Sequence, residues 1–115
     1  MVYPGGLPGV IDVASTSNLD VQSTFTNYGV PPVFMAAPGE GVVTTYPWGT
    51  YAAGWGTSFS TPLVAGTAAL MLGTNGKCSS QTVPLGLADA HYIGNANLGF
   101  GRLDTYQAVE TCHLF

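Results

Sequence analysis

Charge is what this sequence has least of. Only 7% of its 115 residues are charged, against roughly 25% in an ordinary globular domain. Two of them, Lys77 and Arg102, are positive, and the formal net charge is −4. A nucleic-acid binder needs clustered basic side chains to displace counterions from phosphates, so nucleic acid is excluded as a partner, and an anionic membrane surface with it. Histidine is as scarce, with His91 and His113 alone, and the two cysteines, Cys78 and Cys112, form no Cys/His cluster of zinc spacing. No metal or cofactor is predicted. Long apolar runs are missing too: residues 41–76 carry no formal charge, but Gly, Pro, Thr and Ser interrupt them throughout, short of the ~20 apolar residues that cross a bilayer. The first six residues, MVYPGG, show no basic region and no apolar segment of a signal peptide.

What is abundant is apolar surface and turns. Hydrophobic residues make up 46%, with 16 Gly and 8 Pro, a composition of an ordered, turn-rich chain much of whose surface is buried, within itself or against something else. Residues 9–14 (GVIDVA) and 32–36 (PVFMA) read as short buried strands. Residues 42–46 and 51–55 alternate around Pro47-Trp48-Gly49 and predict a β-hairpin. Residues 58–72 predict a helix whose apolar positions do not form one stripe, the pattern of a central helix, with Gly73 and Asn75-Gly76 as terminators. Residues 77–86 read as a loop, 87–93 as a short helix, 95–101 as a glycine-rich turn region and 103–112 as a final amphipathic helix. The mixture is α/β, in one domain. In an oxidising compartment Cys78 and Cys112 could close a loop of more than thirty residues; two partly buried thiols are the alternative, and the sequence leaves both open.

The helix opens awkwardly. Gly56-Thr57-Ser58 leads into a proline, Pro62, that cannot donate the bond Ser58's carbonyl would accept. Helix N-termini present unpaired N–H groups and the positive end of the helix dipole, which suit an oxygen that becomes negative in a reaction. Ser58 is therefore a candidate nucleophile, with Gly56, Thr57 and Pro62 shaping the turn that presents it. The plain alternative is capping, since Ser and Thr are common N-caps.

The string Gly56-Thr57-Ser58-Phe59-Ser60-Thr61-Pro62-Leu63-Val64-Ala65-Gly66 resembles, position by position, the serine signature of the subtilisin-like proteases, and not the Gly-x-Ser-x-Gly elbow, which needs glycine where Ser60 stands. Other stretches are similar to the family in the same order. They are Tyr3-Pro4-Gly5 with Pro8 to Ala14, Ser23 to Gly29 (STFTNYG), Ala37-Pro38-Gly39, and Gly99-Phe100-Gly101-Arg102-Leu103-Asp104. The resemblance implies the C-terminal part of a subtilisin-like parallel-sheet sandwich with a central buried helix. It also implies a secreted serine endopeptidase that acts on polypeptides through an acyl-enzyme on Ser58.

In that family the triad runs Asp, His, Ser along the chain, with an oxyanion Asn between His and Ser. Here both histidines follow Ser58, and no counterpart of the three upstream groups is found. The expectation is that residues 1–115 are the C-terminal portion of a catalytic domain, inactive alone and dependent on an N-terminal part. Asp89 and His91, two residues apart, are too close in sequence to stack behind a distant serine, while Asp12, Asp20 and Asp104 read as solvated or structural. Leu63 stands where many relatives carry a histidine that is not the triad base. Phe34 stands where some carry a calcium-binding carboxylate, so no calcium site is carried over. A sedolisin-type serine-carboxyl protease, a non-catalytic subtilase-like binding or structural domain, and a low-charge adhesion module are the competing readings.

Overall fold

The computed structural model describes residues 3–29, 31–74 and 77–114. Two parallel strands form its base: β1 (Asp12–Thr16) and β2 (Val33–Pro38), with Val13 opposite Met35 and Thr16 opposite Pro38. Both read as near-continuous apolar runs because both faces of the pair are covered. On one face Val13, Met35 and Ala37 meet Val64, Met71, Val83, Leu87, Leu103, Ala108 and Cys112. On the other, Ala14, Val33 and Ala36 pack under Leu98, held by a single 3₁₀ turn at Ala96–Leu98.

Parallel neighbours need a long crossover, and here the described residues between 17 and 32 include no helix. Hydroxyls fasten it down: the Ser15 N–H donates to Thr26 Oγ1 at 2.9 Å, and the Ser15 and Ser23 hydroxyls lie 2.8 Å apart. The sheet continues past its named strands. Arg102 bridges Ala36 in parallel and His91 in antiparallel fashion, with the Leu103 N–H donating to the Ala36 carbonyl at 2.8 Å. Arg102 also forms a two-pronged ion pair with Asp20, at 2.9 and 3.3 Å. That ties the closing segment to the crossover across 82 positions of sequence.

The hairpin lies where expected, β3 (Val42–Tyr46) against β4 (Thr50–Gly54). Trp48 and Gly49, both at positive φ (62° and 71°), turn the chain between them. Its rim is aromatic and open to solvent, with Trp48 92% exposed.

Helix α1 (Thr57–Gly73) packs on β1, β2, α2 (Val83–Leu87) and α3 (Thr105–Thr111). It is central, but within the described residues its burial is confined to the stripe Ser60, Val64, Thr67 and Met71; Leu63, Leu70 and Leu72 are exposed. Gly73 ends it, with Thr74 beyond, and Asn75-Gly76 lie outside the described residues.

The short helix differs from expectation. It occupies Val83–Leu87, mostly in the segment read as a loop and sharing only Leu87 with the expected helix, and residues 88–93 are not helical. Pro84 at its start explains the placement: its fixed φ and missing N–H are tolerated in a first turn. In α3, Asp104 caps the helix by accepting from the Gln107 N–H at 3.0 Å.

Cys78 and Cys112 are joined in a disulfide. The bond pins the end of α3 to the segment after α1, where the Lys77 N–H also donates to the Cys112 carbonyl at 2.9 Å. No helix among the described residues is long and apolar enough to cross a membrane.

Candidate functional site

The carboxyl end of β2 runs into the start of α1. After Pro38, the Gly39 carbonyl accepts a hydrogen bond from the Gly56 N–H at 2.7 Å, and the Gly56 carbonyl accepts from Phe59 at 3.0 Å. Ser58 thus lies outside the carboxyl ends of parallel strands, the usual place for a ligand in an open α/β sheet.

Gly56 is the N-cap, with φ of 149° and ψ of 160°, and no side chain caps the helix. That backbone disfavours residues with a Cβ, so the motif's glycine is required by conformation. The consequence for Ser58 is direct. Neither Thr57 nor Ser58 serves as the cap, so capping does not account for them. Ser58 is exposed, and its hydroxyl has no hydrogen-bond partner among the described residues. The first turn carries no acidic side chain of its own to offset the positive end of the helix dipole.

Pro62 is exposed, and the helix runs through it without a break. Lacking an N–H, it leaves the Ser58 carbonyl without its intrahelical donor. The preceding carbonyl, that of Thr57, is held by the Thr61 hydroxyl at 2.9 Å. Leu63 is on the open side of the helix, 39% exposed.

Ser60 is the opposite of Ser58: fully buried, its Oγ without a partner among the described residues. An unsatisfied buried hydroxyl is costly. Ser60→Ala is therefore expected to stabilise the chain by about 1 kcal/mol, read as a higher urea midpoint at unchanged slope.

The aspartates and histidines are engaged or placed apart from Ser58. The Asp89 carboxylate accepts from the Thr111 hydroxyl at 2.8 Å, Asp20 is paired with Arg102, Asp104 caps α3, and Asp12 lies against Gly5. His91 is exposed on the strand-like edge beside Arg102. His113 follows α3 directly after the disulfide-bonded Cys112. Phe34 is tilted against Phe100, ring centroids 5.0 Å apart. Among the described residues no group of three or more His, Cys, Asp or Glu could hold a metal ion.

One residue of the site drew attention in the sequence only as part of a turn. A Cβ on Gly39 would run into Ser15, Ser60 and the Gly56 carbonyl. Its Ala-Pro-Gly setting marks a turn, but the crowding comes from residues far off in the chain.

Parallel strands covered on both faces, with an exposed serine in the first turn of the helix packed on them, make this an α/β protein. The chain belongs to the subtilase family, whose model matches residues 1–107. It is 39% identical over 110 residues to thermitase from Thermoactinomyces vulgaris, covering 94% of this chain and 39% of thermitase. It is 37% identical over 110 residues to M-protease from Shouchella clausii, covering 94% of this chain and 29% of that protein. Among solved structures, a protease of Pseudoalteromonas arctica superposes with a TM-score of 0.87 at 28% identity, over 96% of this chain and 38% of that one. The self-cleaved protease domain of PatA gives 0.82 at 30% identity, over 96% and 44%. The chain thus spans less than half the length of these relatives.

Proposed function

We propose that this chain supplies the nucleophile of a serine endopeptidase. Ser58 Oγ attacks the carbonyl carbon of a peptide bond while a histidine takes its proton. The C–N bond then breaks, the amine leaves with that proton, and water hydrolyses the acyl-enzyme. The Ser58 N–H helps hold the oxyanion beside an asparagine, with Thr57 supporting that hole. The histidine, its orienting aspartate and the asparagine come from outside residues 1–115. Polypeptides are the substrates, and an extracellular setting suits the relatives, one of which is described as an extracellular serine protease from Natrialba magadii.

The observation that carries this reading is the exposed hydroxyl of Ser58, without a partner among the described residues, at a helix start whose cap is glycine. A serine kept for capping would accept from the first-turn N–H groups; this one does not. Membership of the subtilase family supports the same reaction.

Residues 1–115 alone are expected not to react with a fluorophosphonate, because a serine hydroxyl without a base is a weak nucleophile. A chimera in which the upstream portion of thermitase precedes residue 1 is expected to be labelled, at Ser58. Robust labelling of the chain alone would show that the base is within it, and a folded chimera that resists labelling would count against Ser58.

A further inference from the structure

We infer that Gly39, 19 residues before the serine, is a positioning residue for Ser58; this rests on the reading of Ser58 as nucleophile. Three backbone hydrogen bonds run in series from the sheet to the serine's turn. The Gly39 N–H donates to the Thr16 carbonyl at the end of β1 (3.0 Å), the Gly56 N–H donates to the Gly39 carbonyl (2.7 Å), and the Phe59 N–H donates to the Gly56 carbonyl (3.0 Å). Gly39, in the middle, is held to the sheet by its N–H and to the residues flanking Ser58 by its carbonyl.

The relay requires a residue without a side chain at its centre. A Cβ on Gly39 would lie 2.7 Å from the Gly56 carbonyl oxygen, and against the hydroxyls of Ser15 and Ser60. The main-chain contact cannot be relieved by a change of rotamer, and the two hydroxyls belong to buried side chains. Ser15 is buried and hydrogen-bonded to Ser23 at 2.8 Å, Ser60 is buried on α1, and the Gly56 oxygen is main chain. A methyl group there therefore moves the Gly56 carbonyl, which is the acceptor for Phe59, and Ser58 moves with it. The fold has other anchors, since α1 is held along its length by Val64, Thr67 and Met71. The displacement is confined to the first turn.

Two readouts test this. In residues 1–115, Gly39→Ala is expected to speed amide exchange at Gly56 and Phe59 at least about tenfold, with Met35 and Ala36 within about threefold of the unsubstituted chain. Leu98→Ala, truncating a fully buried side chain packed on Val33 at the opposite end of β2, serves as the control and is expected to loosen all four together. In the thermitase chimera, Gly39→Ala is expected to lower kcat by about 10²-fold with KM within about threefold, because displacing the nucleophile impairs attack more than binding. Unchanged exchange at Gly56, or a loss spread as in Leu98→Ala, overturns the inference, as does a kcat that stays at the unsubstituted value. Hydrolysis that survives Ser58→Ala would instead overturn the nucleophile reading and leave the exchange result standing.

Discussion

Ser58→Ala in the thermitase chimera is expected to reduce peptide hydrolysis by about 10⁶-fold and to abolish fluorophosphonate labelling. The size of the effect follows from how a triad works. The nucleophile and its base act as a unit, so removing the serine removes covalent catalysis whole, leaving only the roughly 10³–10⁴-fold over water that oxyanion stabilisation and binding supply. Stability should hardly change: Ser58 is exposed and the helix N-cap is Gly56, with no side-chain capping bond to lose. Loss of activity with an unchanged denaturation midpoint is thus the expected signature. A fall of less than about tenfold would mean that hydrolysis does not pass through this oxygen.

The second large effect is on stability. Replacing both Cys78 and Cys112 with alanine is expected to cost about 3–4 kcal/mol. Their sequence separation of 34 sets the chain entropy that the bond removes from the unfolded state. The helix it holds is short: α3 is seven residues long and buries Ala108 alone, and Cys112 is itself fully buried in the main core cluster. For a chain of this size the loss corresponds to a fall in Tm of roughly 10 °C or more, measured by thermal unfolding with and without reductant. An equal midpoint under both conditions would show that the bond does not carry the load.

How much of this was legible beforehand differs by element. The hairpin was legible because alternation and the Pro47-Trp48-Gly49 turn are local signals, and so was the span of α1. The short helix was misplaced because five residues carry too little periodicity to outweigh neighbouring turn residues. Strand-like pairing of Phe100 to Leu103 with β2, and of His91 with Arg102, was not legible at all: these segments are single bridges whose partners lie far away in the chain. At the site, the serine was marked by its eleven-residue string, whereas the crowding at Gly39 was not, because Ser15, Gly56 and Ser60 reach it only through the fold.

By itself, the sequence determined that the chain is α/β, that it carries few charges because its strands are meant to be covered, and that Ser58 opens the central helix in a subtilase signature. Those are properties of short segments, fixed by period, turn chemistry and residue type. The tertiary structure decided what surrounds them. Glycine, not serine or threonine, caps α1. Asp20, Asp89 and Asp104 are each engaged by Arg102, Thr111 and the Gln107 N–H. A buried glycine links the sheet to the serine's turn. Each of these depends on which atoms come within about 3 Å of one another, and that is settled only when the strands and α1 pack.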